Sequence, residues 1–349
     1  METLLRPRLE VLVSSPGPWA AVRIDQPFGA LQARGWDVRL HPKPFRLDQV
    51  VRPASLVIWQ RPLPSSWEDW RACLQWLRQQ GCLLVVEWDD HPALFPESVR
   101  EQFGRAKLVH LRLAHALQCS NPRLARHLQP FHPLPLVVEN GVAPIPSLNL
   151  GKHAPGQPLR LFLANFNRER EHRQLAEPLA LWLRGDPQLR LVTVGPSGLE
   201  GLLPAGQLEP HPALAYGAYR QVLASCQIAL LPLEAGEPQA CKTAIKWLEA
   251  AAESTAVVAG PELYGPWLAG NRQGLWARSI AEVVPLAQQL AARSELREQV
   301  VRSAHQACRA HRLEGQLAWR EELYGHLWRR RVRLDQQLVA RWPELAGGS

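Results

Sequence analysis

The chain has 349 residues, of which 46% are hydrophobic and 21% are charged, and this composition excludes disordered and collagen-like proteins. No run of about 18 apolar residues occurs, so no membrane-spanning helix is predicted. The first residues lack the pattern of a signal peptide, and we therefore expect a cytoplasmic protein, with a location at the inner membrane face as an open alternative. The formal net charge of +8 favours anionic partners such as phosphorylated small molecules.

The cysteines and lysines restrict the kinds of functional site that the chain can contain. The six cysteines are scattered, without CxxC pairs or histidines at ligand spacing, so we expect reduced thiols and no metal site. Of the 40 basic residues only five are lysines. Coding bias accounts for most of the arginines, but a lysine retained against that bias suggests a requirement for lysine. Two of them, Lys242 and Lys246, are four positions apart.

The first part of the chain alternates short apolar runs with longer helical patterns. Helices are predicted to about residue 34, from about 66 to 80, from about 97 to 113 and from 121 to about 129. Strand–helix alternation of this kind predicts a parallel sheet covered by helices, and continuous apolar strands are typical of sheets covered on both faces. We assign residues 1–145 to this first domain. Its predicted strands are residues 8–15, 36–40, 55–60, 82–90, 115–120 and 134–141.

A second α/β domain follows a linker. Residues 146–158 belong to a segment rich in proline and glycine that has no periodicity, which is typical of a linker. Strands then recur at 159–165, 189–195, 227–233 and 255–260, with a helix from about 240 to 252. We therefore predict two doubly wound Rossmann-like domains facing across a cleft, the second at 159–310, and an arginine-rich helical tail at 311–349 that packs back on the first domain.

The segment 227–260 carries the richest pattern of charge. On a helix, Lys242, Lys246 and Glu249 share one face. Lysine near a helix N-terminus opposes the helix dipole, and an anion bound there would compensate. The segment thus predicts a phosphate site beside Lys242 and Lys246, with Glu249 accepting hydrogen bonds from a sugar hydroxyl pair. A solvated i,i+3 ion pair between Lys246 and Glu249 is the competing interpretation.

Several segments resemble a known enzyme family in their order and spacing. KTAIKWLEAAAESTAVVAG (242–260), AYRQVLASCQIALLPL (218–233) and LRLFLANFNRERE (159–171) are similar to the donor-binding segments of retaining GT-B nucleotide-sugar glycosyltransferases of the family 4 type, also called group 1. The resemblance implies the GT-B fold, with a nucleotide-diphosphate sugar as co-substrate and neither cofactor nor metal. It also implies that Glu249 binds the donor ribose. The family's first glutamate, eight positions earlier, is replaced here by Cys241, and Glu234 or Glu237 is the candidate substitute.

The resemblance also implies roles around the donor. Arg168 would neutralise the leaving diphosphate, and Lys246 would be the second catalytic cation. For the segment around Arg168, a solvated run of charges is an equal alternative. A turn after the second strand of this domain would lie near the nucleotide base. The full set of predicted donor-binding residues is Glu249, Lys242, Thr243, Asn165, Asn167, Gly195 and Glu237.

Polar residues at predicted strand ends of the first domain form a second candidate group. Clustered acids repel one another unless a ligand or cation compensates, so Asp90 is predicted to act in catalysis on sugar or acceptor hydroxyls. An aspartate that caps a helix start before Pro92 and a surface salt bridge of Arg23 are the competing interpretations. The spacing does not fit a metal-binding DxD motif. The other predicted residues are Gly17, Arg23, Glu87, Asp89 and His91.

Together these observations predict transfer of a sugar from a nucleotide-diphosphate donor to a glycan, lipid-linked or small-molecule acceptor, with retention. A nucleotide-sugar epimerase and a non-catalytic nucleotide-sugar-binding homologue stay open as alternatives. The charge alone does not support nucleic-acid binding, because no recognised motif accompanies it. The basic run RRRVR at 329–333 leaves peripheral membrane contact open, although a solvated helix face is the preferred interpretation.

Overall fold

The computed structural model describes residues 6–17, 20–154, 158–163, 168–268 and 270–346. The chain divides into two compact units. Unit 1 comprises Met1–Gly141 and Leu313–Ser349, and unit 2 comprises Val142–Arg312. Each unit is built around its own six-stranded sheet.

The sheet of unit 1 is entirely parallel, with strand order β2-β1-β3-β4-β5-β6. The strands at its centre are buried at every position, as expected for a sheet covered by helices on both faces. All six strands coincide with predicted runs. Their bounds are β1 Leu9–Val13, β2 Val38–Pro42, β3 Leu56–Gln60, β4 Leu83–Trp88, β5 Ala116–Cys119 and β6 Pro135–Val137.

The sheet of unit 2 is also parallel, with strand order β12-β11-β10-β7-β8-β9. Four strands were predicted, and the sequence analysis missed the two at the edges. One missed strand has no fully buried residue, and the other has only two residues. The bounds are β7 Arg160–Leu163, β8 Arg190–Val194, β9 Leu208–His211, β10 Ile228–Pro232, β11 Ala256–Gly260 and β12 Leu275–Trp276.

Fifteen α-helices lie in the described part of the chain, and none of them is long and apolar enough to cross a membrane. A π-helical segment, Ala21–Asp25, precedes the first of them. The bounds are α1 Gln26–Ala33, α2 Leu47–Val50, α3 Trp67–Gln79, α4 Glu97–Arg105, α5 Val109–Arg112, α6 Pro122–Leu128, α7 Glu169–Gly185, α8 Tyr216–Ala224, α9 Glu237–Ala240, α10 Ile245–Ala252, α11 Gly265–Leu268, α12 Val283–Ala292, α13 Ser294–Cys308, α14 Leu313–Arg329 and α15 Arg331–Arg341.

Two predicted helices are each divided in the structure. The helix predicted from about 97 to 113 ends at Arg105, and α5 begins after Lys107 and Leu108, which both have φ near +49°. The helix predicted from about 240 to 252 is split into α9 and α10. The prediction that Lys242 and Lys246 share one helix is therefore wrong, because Lys242 lies between the two helices.

The C-terminal tail packs on unit 1 through both apolar and polar contacts. The ring of Tyr324 stacks on Phe28 with centroids 6.0 Å apart, and its hydroxyl donates to Gln118 at 3.0 Å. Glu321 accepts a hydrogen bond from the Trp36 indole at 2.9 Å. Leu327, Leu334 and Leu338 of these C-terminal helices are buried.

The chain crosses between the units at two adjacent points. Val142 and Arg312 form a parallel β-bridge. One residue away from each, Gly141 approaches the backbone of Leu313 so closely that a Cβ atom on the glycine would lie 2.7 Å from the Leu313 Cα. Glycine is therefore required at this crossing, since any side chain would displace the returning segment.

The segment predicted as a linker, residues 146–158, clusters with unit 2 in its described part. Lys152 anchors it there. The Lys152 ammonium donates to the carbonyl oxygens of Ala224, Cys226 and Glu253 at 2.7–2.9 Å and to the hydroxyl of Thr255 at 2.9 Å. Burial lowers the pKa of Lys152 to about 8.

Three buried histidines couple the stability of the fold to pH. Burial lowers the pKa of His110 to about 3 and the pKa values of His132 and His153 to about 4. His110 is enclosed by Trp70, Trp88 and Phe103, and its ring nitrogens have no hydrogen-bond partner among the described residues. Below about pH 6.5 the unfolded chain therefore binds protons that the folded chain does not.

We expect the melting temperature to fall as the pH is lowered from 7.5 to 5. The free energy of unfolding should decrease by roughly 2 kcal/mol per buried histidine at pH 5. His110→Phe should weaken this pH dependence, because the phenyl ring fits the aromatic site and binds no proton. The exposed His326 provides the control, and His326→Phe should leave the dependence as in wild type. Equal pH dependence in wild type and His110→Phe, measured by calorimetry, would contradict the assignment.

Candidate functional site

The strand order of unit 2 locates its ligand-binding edge. The chain leaves β7 towards β8 and β9 on one side, whereas β10, β11 and β12 lie on the other. The order reverses between β7 and β10, and in open parallel sheets ligands bind at the carboxyl ends of the strands at such a point. The segments that follow these two strands, about 164–171 and 233–249, contain most of the predicted donor-binding residues.

Glu249 is the most deeply buried charged group at this edge. Its side chain is only 2% exposed. The residue lies on α10, the second helix after β10. One carboxylate oxygen accepts hydrogen bonds from the Tyr219 hydroxyl at 2.9 Å and from the Lys246 ammonium at 3.1 Å. An isolated carboxylate would not tolerate such burial, so the two donors stabilise its charged form.

Lys246 is held between a carboxylate and an aromatic ring. Its ammonium lies 4.3 Å from the centroid of Tyr219 and 3.2 Å from the hydroxyl of that residue. The i,i+3 ion pair with Glu249 weighed in the sequence analysis is therefore present. The pair is not a fully solvated one, because the lysine side chain is only 31% exposed.

Two tyrosines of α8 belong to this site, and the sequence analysis did not select them. Tyr216 and Tyr219 stack with ring centroids 6.1 Å apart. Burial and the charge of Glu249 raise the pKa of Tyr219 well above its ordinary value, which keeps its hydroxyl a donor to that carboxylate. Arg220, on the same helix, donates to Glu253 at 2.7 Å. The sequence signal that could have identified these residues is their spacing in the helix that precedes β10.

The position of the family's first glutamate is buried and apolar. Cys241 is fully buried, and its thiol lies 3.7 Å from the carboxylate of Glu237, one helical turn earlier. Gly236, with φ near +136°, starts this turn in a conformation that favours glycine. A carboxylate is thus present beside Cys241, supplied by Glu237. Lys242 and Thr243 follow, in the break between α9 and α10.

The loop after β7 contributes a second charged group. Asn165 and Asn167 lie outside the described residues. Arg168 caps α7 and is largely buried, and its guanidinium donates to Glu171 at 2.5 Å. Glu171, which the sequence analysis did not select, therefore partly balances the predicted catalytic cation.

The segments after β7 and β10 are joined by direct contacts. Arg170 forms an ion pair with Glu234 at 3.0 Å, and the amide of Gln174 donates to the same carboxylate at 3.2 Å. Glu234 is therefore bonded to α7. Of the two candidate substitutes for the first glutamate, only Glu237 contacts Cys241.

Gly195 ends β8 on the same edge. It has φ near +80°, and its amide donates to His211 at 3.0 Å. The turn that follows is fixed to α7, because the ring of His172 contacts the carbonyl oxygen of Ser197 at 3.1 Å. Gly195 thus lies at the start of a turn, as predicted, two strands away from β10.

In unit 1 the corresponding reversal lies between β1 and β3. The indole of Trp59 donates to the Ser14 hydroxyl at 2.9 Å, and the Ser15 amide donates to the side chain of Gln60 at 3.2 Å. Gly17 follows in the loop after β1 and accepts a hydrogen bond from the Ala20 amide at 2.9 Å.

Arg23 and Glu87 form a buried pair rather than an exposed ligand site. The side chains are 4% and 0% exposed, and the guanidinium donates to one Glu87 oxygen at 2.5 and 2.8 Å. It also donates to the Asn140 side chain at 3.0 Å. Burial raises the pKa of Glu87 to about 7, although the charge of Arg23 opposes this shift. The interpretation of Arg23 as a surface salt bridge is also wrong, because the pair is internal.

The clustered acids after β4 are compensated by a cation from the neighbouring strand. Arg61 follows β3 directly and donates to Asp89 at 2.5 Å and to Asp90 at 2.6 Å. Burial lowers the pKa of Arg61, but the two aspartates outweigh this effect, and the net shift is upward. The sequence analysis expected a ligand or cation here and missed Arg61. The catalytic role of Asp90 stays a prediction.

His91 has a local structural role. Its ring accepts a hydrogen bond from the Ala93 amide at 3.1 Å, caps the short 3₁₀ turn Pro92–Leu94, and stacks on His127 at 3.8 Å. The aspartate cap weighed in the sequence analysis is therefore wrong in its residue, because this histidine makes the cap. Within the described residues, no group of three or more His, Cys, Asp or Glu side chains is arranged to hold a metal ion.

Comparisons with known proteins now identify the architecture. Residues 168–333 match the family model described as glycosyl transferase-like. An α-glucosyltransferase solved with UDP-glucose and DNA containing an abasic site superposes with a TM-score of 0.65 at 11% identity, covering 92% of this chain and 100% of that chain. The chain has the GT-B fold. The family match covers slightly less than half of the chain, and neighbours at such low identity show the fold alone.

Two further solved structures are similar over their whole length. Anabaena Alr3699/HepE in complex with UDP has a TM-score of 0.60 at 14% identity, with 92% of this chain and 100% of that chain covered. A glycosyltransferase from Rickettsia africae has a TM-score of 0.61 at 11% identity, with 93% and 99% covered. No curated protein sequence matches the chain significantly. The resemblance to GT-B nucleotide-sugar glycosyltransferases is thereby confirmed.

Proposed function

We propose that this glycosyltransferase transfers a sugar from a nucleoside-diphosphate donor to a glycan, lipid-linked or small-molecule acceptor, with retention of configuration. The observation that carries the proposal is the buried Glu249 carboxylate, held by Tyr219 and Lys246 at the strand-order reversal of unit 2. Three solved structures that contain UDP or UDP-glucose, two of HepE and one of the α-glucosyltransferase, support the choice of donor class.

In this proposal Glu249 binds the donor through its ribose hydroxyls. The carboxylate is fixed in orientation before the donor arrives, since one oxygen already accepts two hydrogen bonds. A pre-oriented acceptor loses little conformational entropy on binding. Stacked Tyr216 and Tyr219 form a rigid aromatic support on the side of Glu249 that faces α8.

Charge stabilisation at the diphosphate is assigned to Lys246, Lys242 and Arg168. The sugar–phosphate bond breaks as negative charge builds on the leaving diphosphate, and cations that interact more strongly with that charge accelerate the step. The acceptor hydroxyl attacks from the face that the diphosphate leaves, which gives retention. Glu237, beside Cys241, takes the place of the missing first glutamate against the transferred sugar.

The donor class is tested directly by thermal shift with UDP-, GDP- and ADP-sugars, because a ligand that binds only the folded state raises its melting temperature. Sugar transfer is then measured with the stabilising donor and a panel of acceptors. Conversion of the donor sugar to an epimer without any acceptor would instead support the epimerase alternative.

Glu249→Gln should weaken donor binding by roughly 1–3 kcal/mol, or about 5- to 150-fold in Kd, because a charged acceptor is lost while the size of the side chain is kept. Isothermal titration calorimetry measures the change. The control is Glu253→Gln, which removes a carboxylate bonded to Arg220 at the end of the same helix and should leave Kd within about twofold of wild type. Unchanged donor affinity in Glu249→Gln would contradict the role of this carboxylate.

Lys246→Ala should lose more kcat than Lys246→Arg, and both should be slower than wild type. A compact ammonium fits between Tyr219 and Glu249, whereas a planar guanidinium presents its donors in a different geometry. Steady-state kinetics with melting curves as the stability control measure this. If the pair only stabilises the helix, both variants should keep wild-type kcat and show small shifts in Tm.

We expect turnover to persist in the presence of EDTA. The adjacent carboxylates Asp89 and Asp90 are both bonded to Arg61, so neither is arranged as a metal ligand, and lysine and arginine supply the positive charge in the proposed step. Activity that EDTA abolishes and added Mg²⁺ or Mn²⁺ restores would contradict metal independence and would reassign these two aspartates.

A further inference from the structure

A cavity lies within unit 1. Its volume is about 810 Å³, which is within the range of small-molecule sites. The start of α3, the helix α4 with the segment that follows it, and Trp342 near the C-terminus form its walls. None of these residues belongs to the donor-binding edge of unit 2.

The walls carry an excess of positive charge. Four cations line the cavity, namely Arg100, Arg105, Lys107 and Arg112, against the single carboxylate of Glu68. None of the four forms an ion pair with a carboxylate in the described part of the chain. Other arginines of unit 1, among them Arg23, Arg61 and Arg78, are each bonded to an acid.

Local helix electrostatics explain only part of this cluster. Arg105 and Lys107 lie at the C-terminal end of α4, where the helix dipole favours cations. Arg100 lies in the middle of that helix and gains no such stabilisation. The Nε atom of Arg112 is buried without a hydrogen-bond partner among the described residues, and the guanidinium lies 5.5 Å from the ring centroid of Phe131.

Aromatic rings form the apolar part of the same cavity. Trp67 and Trp342 meet edge to face with centroids 5.2 Å apart, and Phe103 lies on the wall with them. Trp67 starts α3, and Trp342 follows the last long helix, so residues distant in sequence contribute to one surface. Aromatic faces of this kind bind apolar groups and stack on planar ones.

We infer that this cavity binds an anionic amphiphile, a molecule with a phosphate head and an apolar body. Arginine and lysine together recognise phosphate by charge and by hydrogen bonding, and the tryptophans accommodate the apolar part. The inference does not rest on the proposed glycosyl transfer, because it concerns binding within unit 1 in the absence of any nucleotide. Membrane lipids and free phosphorylated molecules both carry such a head group, and the experiments below distinguish these two sources.

The probe is octyl phosphate, titrated by calorimetry into the full-length protein at concentrations below micelle formation. Wild type should bind it, and uncharged octyl glucoside and inorganic phosphate should each bind at least tenfold more weakly. Arg105→Gln/Lys107→Gln should raise the Kd for octyl phosphate at least tenfold, and Trp342→Ala should weaken binding through the apolar part. Both charged residues are exposed, so the double variant is expected to fold, which circular dichroism verifies.

The matched control is Arg329→Gln/Arg333→Gln, which removes two exposed cations from the C-terminal helices and should leave the Kd within twofold of wild type. Octyl phosphate binding that is absent in wild type, or equal in the cavity variant and the control, overturns the inference.

Co-sedimentation with vesicles of phosphatidylcholine and phosphatidylglycerol distinguishes the sources of the head group. Binding lost in the cavity variant and kept in the control identifies a membrane lipid. Octyl phosphate binding without a difference in co-sedimentation identifies a free phosphorylated molecule.

Discussion

The burial of one carboxylate constrains the candidate site more than any other feature. Glu249 is almost completely enclosed, and a charge in that position requires donors that stay in place. Tyr219 and Lys246 provide them, and each is held in turn, the tyrosine by stacking on Tyr216 and the lysine by the face of the Tyr219 ring. The helices α8 and α10 must therefore keep a fixed separation.

The sheets were largely predictable, because each central strand is a continuous apolar run bounded by turn residues. Prediction failed where that signal is absent. The edge strand β9 has three half-buried residues and one exposed residue, and β12 has only two residues. Helix breaks were also missed, since the residues at Lys107 and Leu108 are ordinary helix formers held at positive φ by tertiary packing. Sequence periodicity describes one helix at a time and contains no information on such packing.

The candidate site was predictable as a set of segments but not as a set of contacts. Arg168 and the acids after β4 were identified because they follow strands, and Glu249 was identified from its predicted helix face and the family resemblance. Their partners were not, since Tyr219, Glu171 and Arg61 are distant in sequence or have no distinctive spacing. Buried pairs are especially hard to predict. Arg23 and Glu87 are 64 positions apart, and only the folded sheet shows that both side chains point inwards, where each neutralises the other.

The rarity of lysine has two different physical explanations in this chain. Lys152 is required for structure, because a small ammonium can donate to four acceptors around one point, whereas a planar guanidinium cannot. Lys246 occupies a comparable position between a carboxylate and a ring, but its side chain stays 31% exposed. An ammonium surrounded by four acceptors of the fold serves to stabilise that fold, whereas one with two such partners can also contact an incoming anion. Retention of lysine against a strong preference for arginine therefore indicates a geometric requirement, and the number of acceptors already around the ammonium decides whether a ligand can share it.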